Sequence, residues 1–162
     1  MPSGPILIGF DGTSAAERAV REAGSLFAPR PAIVLVVLVP GEAFAAVVGP
    51  LAGAGIPLTE VEIQAALEYE EKAMTTARQL AEKGAAMARE VGLEAEGRVV
   101  AEDAGIPRTL VRVADERDAS AIVLGSRRHR TLSEFLLGST TRDVLKRARR
   151  PVVAVPDVSD DR

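Results

Sequence analysis

The chain is predicted to be α/β, an open five-stranded parallel sheet with helices on both faces. Three features point there. Short apolar runs recur at residues 5–10, 32–39, 121–124 and 151–155, with an alternating run at 93–100. Most of the segments between them carry apolar residues at helical spacing, and strands alternating with helices along one chain build a parallel sheet joined by crossover helices. The run AIVLVVLV at 32–39 has no polar residue, as a strand covered on both faces requires.

The first run, PILIGF, stops at Asp11 and Gly12. Ser14 and Glu17 then stand at capping-box spacing, and Ala16, Ala19, Val20, Ala23 and Phe27 follow at helical spacing. Pro29 and Pro31 end that helix before the second strand. Residues 41–58 are rich in Gly, Ala and Pro and are expected to form an irregular lid-like or mobile segment. Thr59 and Glu62 are spaced as a second capping box. They open a long helix with Ala66, Tyr69, Ala73, Ala77, Leu80, Gly84, Ala88 and Val91 on one face, closed by Gly92. The third strand, 93–100, alternates in polarity. Ile106-Pro107 begins the next helix, since proline is tolerated in a first turn, with Ile106, Leu110, Val113 and Ala114 as its apolar stripe. The fourth strand is 121–124. Thr140 and Asp143 frame the start of a last helix through Ala148, and the fifth strand is 151–155.

Length and composition narrow the function. The 162 residues suit one domain, read as 1–156 with a polar tail at 157–162. Aromatic residues make up 3% and tryptophan is absent, which argues against stacking of nucleic-acid bases. The net charge of −3 argues against general attraction to a polyanion. Arg142, Lys146, Arg147, Arg149 and Arg150 read as a helix-end complement and surface. There is no cysteine for a thiolate or a metal site, and His129 is the single histidine. No catalytic residue and no metal ligand is assigned. The segment MPSGPILIGF does not read as a signal peptide, and no apolar run approaches the ~18 residues of a membrane span. The expectation is a cytoplasmic protein with no membrane partner.

In an open α/β sheet, ligands bind beyond the carboxyl ends of the strands, where the strand order reverses. Two segments belong there: Gly9 to Thr13 after the first strand, and GSRRHRTLSEFLLGST at 125–140 after the fourth. An aspartate such as Asp11 can accept hydrogen bonds from a ribose or an amine, though Asp-Gly also makes a plain turn. Gly138, Ser139 and Thr140 sit at a helix start, where unpaired N–H groups and the positive end of the dipole favour an anion; hydroxyl residues there also serve as plain caps. The loop lacks the Gly-Lys-Ser/Thr ending of a P-loop.

The residues ILIGFDGT at 6–13, AIVLGSR at 121–127, LLGST at 136–140 and RPVVAV at 150–155 resemble the universal stress protein (UspA) family over essentially the whole chain. That resemblance implies a Rossmann-like, adenine nucleotide alpha hydrolase-like fold with strand order 3-2-1-4-5. The family's nucleotide-binding branch shows Gly, two residues, Gly, nine residues, Gly and Ser/Thr after the fourth strand. Gly125 matches the first glycine, and Gly138 with Ser139 the last pair; Arg128 stands at the second glycine. The resemblance implies that Gly9 and Asp11 meet the adenosine end, and that Val39 offers its backbone to the adenine edge. Gly125, Arg127, Arg128 and His129 would line the loop around ribose and phosphates, with Gly138, Ser139 and Thr140 on phosphate oxygens. The implied ligand is ATP, or ADP or AMP, with magnesium as an optional companion. The last strand, through Val152, Val153, Ala154 and Val155, would be an edge strand pairing with its copy in a homodimer.

Two functions follow from this reading. One is a non-enzymatic, homodimeric stress protein that holds an adenine nucleotide as a regulatory ligand, any hydrolysis being slow. The other is a nucleotide-free relative acting through its dimer surface. The intact Gly138-Ser139 pair and Asp11 favour the first; Arg128 favours the second.

Overall fold

Residues 3–126 and 137–157 are described by the computed structural model. The elements are β1 (Ile6–Gly9), α1 (Ser14–Phe27), β2 (Pro31–Leu38), α2 (Glu42–Gly53), α3 (Glu60–Glu90), β3 (Glu94–Ala101), α4 (Ile106–Glu116), β4 (Ala121–Ser126), α5 (Ser139–Arg147) and β5 (Val152–Pro156). The sheet order is β3-β2-β1-β4-β5, with every pairing parallel. Ile6 pairs with Ala32 on one side and Ala121 on the other. The predicted sheet and strand order are therefore those of the protein.

Two-residue periodicity divides the core. Ile6, Ile8, Val34, Val36 and Val123 pack on Ala16, Ala19, Val20 and Ala23 of α1 and on Ala77, Ala81, Ala85 and Ala88 of α3. Their neighbours Leu7, Ile33, Leu35, Ile122 and Leu124 face the other way, against Leu110 and Val113 of α4 and Val144 of α5. Small residues on α3 allow a close approach to the sheet. A Cβ added at Gly97 would lie 2.6 Å from the Ala81 carbonyl oxygen.

The helix starts correct three expectations. Thr13, not Ser14, is the N-cap of α1, its hydroxyl accepting the Ala16 N–H at 3.3 Å. The Asp11 carboxylate explains the shift: it accepts the Thr13 N–H at 3.0 Å and the Thr13 hydroxyl at 2.6 Å, which holds Thr13 in the extended cap conformation. Glu17 turns instead to the Lys83 ammonium of α3, 2.8 Å away, and this hydrogen bond and charge keep its carboxyl below the ordinary range. Helix α5 begins at Ser139 with Gly138 as its N-cap, one residue before the expected Thr140.

The third correction concerns residues 41–58, expected to be irregular. Residues Glu42–Gly53 form α2 despite Pro50 within it. Phe44, Val47, Val48 and Leu51 recur at i, i+3, i+4 and i+7, the spacing of a helix with one docked face, and all four are half-buried. The docking partner is α3. Glu70 of α3 completes the helix start: its two carboxylate oxygens accept the Gly41 N–H at 2.7 Å and the Phe44 N–H at 3.0 Å.

Helix α3 has 31 residues, hence is about 46 Å long, and only its later half, from Ala77 onward, covers the sheet. The predicted capping box is present: Thr59 Oγ1 accepts the Glu62 N–H, and Glu62 accepts the Thr59 N–H at 2.7 Å. Gly92, at φ +89°, ends it in the left-handed conformation, with Leu93 N–H donating to Ala88 C=O at 3.0 Å. The early half of α3 and α2 form a helical hairpin in which Ala66 is buried, while Ile56, Leu58, Val61, Ile63, Leu67 and Tyr69 are exposed.

The two sheet edges differ in chemistry. Edge strand β3 exposes Glu94, Glu96 and Arg98. Edge strand β5 reads VVAVP and carries no charge.

Candidate functional site

The connection from β1 runs through α1 to β2, and that from its neighbour β4 runs through α5 to β5 on the other side, so a crevice opens between the carboxyl ends of β1 and β4. A cleft of about 600 Å³ occupies this place. Leu35, Val36, Val37, Ile106, Leu110 and Leu124 give it an apolar side. Gly9, Asp11, Thr13, Gly125, Gly138, Ser139, Thr140 and Thr141 line the rest, with Phe10, Ala15, Ala16 and Leu80. Asp11 is the one charged side chain among these described lining residues.

The three glycines are small for different reasons. At Gly9, a Cβ would lie 2.5 Å from Leu124 Cδ2; at Gly125, it would lie 2.4 Å from the backbone carbon and oxygen of Ala15. Gly125 lets α1 approach the sheet, while Gly9 leaves room for the Leu124 side chain of β4. At Gly138, a Cβ would meet nothing within 4 Å among the described residues, and φ is −53°. Neither packing among the described residues nor backbone conformation there calls for glycine.

Helix α5 presents its start to the cleft. The first helical hydrogen bond runs from the Arg142 N–H to the Gly138 carbonyl at 3.0 Å. The N–H groups of Ser139, Thr140 and Thr141 precede it, and the Gly138 N-cap has no side chain to satisfy them. No acidic residue occupies the first turn, so the positive end of the helix dipole is not offset from within the helix. Thr141, buried, donates its hydroxyl to the Gly125 carbonyl at 3.4 Å. Ser126, also buried, accepts the Gly138 N–H on its hydroxyl oxygen at 3.2 Å.

Of the residues singled out in the sequence, Gly9, Asp11, Gly125, Gly138, Ser139 and Thr140 come together at this cleft. Val39 lies one residue past β2, where its carbonyl accepts the Glu42 N–H at 3.4 Å; from that strand, Leu35, Val36 and Val37 line the cleft instead. Arg127, Arg128 and His129 lie outside the described residues. The sequence reading included Thr13 in the candidate segment Gly9 to Thr13 without giving it a role, missed Thr141, and took Ile106 and Leu110 for core alone. A signal for Ile106 existed: crossover helices of a parallel sheet begin at its carboxyl edge, so a first-turn residue stands beside the ligand crevice. Among the described residues, no group of three or more His, Cys, Asp or Glu could hold a metal ion. No helix there is long and apolar enough to cross a membrane.

Residues 3–156 match the model of the universal stress protein family. The chain belongs to the universal stress protein family. Among curated relatives, universal stress protein MJ0577 of Methanocaldococcus jannaschii is 38% identical over 52 residues; the match spans 32% of this chain and 32% of that relative, about a third of its length. The solved structure of MJ0577 superposes with a TM-score of 0.68 at 22% identity, covering 99% of this chain and 100% of the other. A universal stress protein from Archaeoglobus fulgidus, solved in complex with dAMP, is 26% identical with a TM-score of 0.60, covering 96% and 99%. A universal stress protein solved in complex with cAMP is 22% identical with a TM-score of 0.58, covering 96% and 98%.

Proposed function

We propose that this universal stress protein binds an adenine nucleotide in the cleft as a regulatory ligand and does not turn it over. The observation that carries the reading is Gly138. Among the described residues, glycine there serves neither packing nor φ, yet it stands at a helix start whose N-cap has no side chain and which has two hydroxyl neighbours. Close approach of an anion to backbone explains such a glycine. The apolar side chains opposite suit a flat base, so one ligand with an apolar ring and an anionic tail uses both sides of the cleft. The dAMP and cAMP complexes of related proteins support the same ligand class. The Asp11 carboxylate accepts two bonds from Thr13. Any magnesium would be held chiefly by the phosphates themselves.

The reading includes assembly. Residues 1–156 act as one domain with the tail 157–162 appended, in the cytoplasm, as a homodimer joined through Val152, Val153, Ala154 and Val155. The support is the contrast between edges: charged side chains guard β3, as a solvent-exposed edge needs, and none guards β5. The nucleotide-free alternative, favoured by Arg128 at a family glycine, is separated by calorimetry on Arg128→Gly. A large gain in affinity over wild type would favour it.

Nucleotide-stripped protein should gain thermal stability with AMP or ATP, because a ligand that binds only the folded state raises its melting temperature. Gly138→Val should bind AMP at least about tenfold more weakly, since a branched side chain would fill the space a phosphate needs. Absence of any thermal shift at millimolar AMP, ATP and adenosine would overturn the proposal.

A further inference from the structure

We propose that Ser126 and Asp157 are positioning residues that hold the two helix starts flanking the cleft and thereby set its affinity for the phosphate of a bound nucleotide; this rests on the nucleotide reading of that cleft. Three hydrogen bonds form a continuous chain between elements far apart in sequence. The Gly138 N–H, at the N-cap of α5, donates to Ser126 Oγ at 3.2 Å. The Ser126 carbonyl, at the end of β4, accepts the Asp157 N–H at 2.8 Å. Asp157, directly after β5, accepts the Ser14 hydroxyl on Oδ2 at 2.9 Å, and Ser14 is the first residue of α1. Ser126 is buried, 4% exposed.

The chain distributes charge unequally between the two helix starts. Helix α1 has the Asp157 carboxylate on its first residue, Glu17 in its first turn and the Asp11 carboxylate on its N-cap Thr13. Its positive end is already met by acidic groups. Helix α5 has no acidic residue in its first turn, and Ser126 holds its N-cap with a neutral group. A phosphate is therefore directed to α5, and the spacing between the two starts is kept by Ser126 and Asp157 from beneath. Apolar Val36, Val37 and Leu110, which suit the base, belong to β2 and α4 and take no part in the chain.

That separation makes the inference testable. Calorimetry on nucleotide-stripped protein should compare AMP with adenosine in wild type, Ser126→Ala and Asp157→Ala. Ser126→Ala should weaken AMP by roughly three- to tenfold, the scale of one lost hydrogen bond, and change adenosine by less than about twofold. Asp157→Ala should show the same selectivity with a smaller loss, because its main-chain bond to Ser126 remains; it lies near the surface and keeps the test available should Ser126→Ala not fold. Unchanged or tighter AMP binding in both variants, or an equal loss of AMP and adenosine, would overturn the positioning role while leaving the nucleotide reading intact. Wild type that binds neither ligand would overturn the reading of the cleft, and this inference with it.

Discussion

A methyl group added at Gly125 would stand 2.4 Å from the carbonyl carbon and oxygen of Ala15, while one added at Gly138 would meet none of the described residues within 4 Å. Backbone cannot yield as a side-chain tip can. Gly125→Ala should cost about 2–3 kcal/mol or more in urea unfolding, with α1 forced off β4. Gly138→Ala should cost less than about 1 kcal/mol, the scale of a changed N-cap, and its larger effect should be on AMP affinity. Equal stability losses for the two variants would contradict this division. Sequence spacing made the two glycines equivalent members of one loop, because nothing local shows that Ala15 comes to rest on Gly125. Asp11, Ser139 and Thr140 were legible for the opposite reason: they stand at element ends, and the carboxyl edge of a parallel sheet gathers such ends in one place. Val39 shows the limit of that logic. Its position depends on where β2 stops, and strand ends are set by pairing with β3, which runs in register to Leu38.

Helix α2 holds to the rest of the protein through one face and one carboxylate. None of its residues is buried, and Glu70 supplies two hydrogen bonds to its start. The flanking Gly41 and Gly55 both have positive φ and open space around them. Glu70→Ala should therefore loosen α2 without touching the sheet. Limited proteolysis should cut between residues 41 and 58 several-fold faster, as local opening becomes easier, while the unfolding free energy from urea titration followed by far-ultraviolet circular dichroism stays within about 0.5 kcal/mol of wild type. Cleavage at the wild-type rate would show that side-chain packing alone retains the helix. The helical spacing of Phe44, Val47, Val48 and Leu51 was present in the sequence, but Gly49, Pro50 and Gly53 outweighed it. What decides between them is α3, whose early half offers the face on which α2 lies, and that face becomes visible only when the chain is folded. The capping box at Thr59 and Glu62 was legible because both partners lie within one turn.

Across the whole molecule, strand alternation and the uniformly apolar β2 were enough to anticipate the parallel sheet and its layers, while the strand order came from the resemblance to the universal stress protein family. The proposed dimer rests on the unlike edges. Val153→Lys puts a charge on the unguarded edge, and light scattering at micromolar concentration should show a shift from dimer towards monomer. Glu96→Val, on the guarded edge, should leave the oligomeric state as it is. A monomeric wild type would remove the basis for both expectations. One further consequence follows from where Tyr69 sits. It is the sole tyrosine in a chain without tryptophan, it is 57% exposed, and it stands on the hairpin beside Glu70, away from the sheet. Ultraviolet fluorescence therefore watches the appendage and is blind to the body. A tyrosine melting curve and a dichroism curve need not share a midpoint, and a gap between them would measure how independently the hairpin lets go. A chromophore that sees the cleft has to be installed, and Val37→Trp, on its apolar side, puts one there.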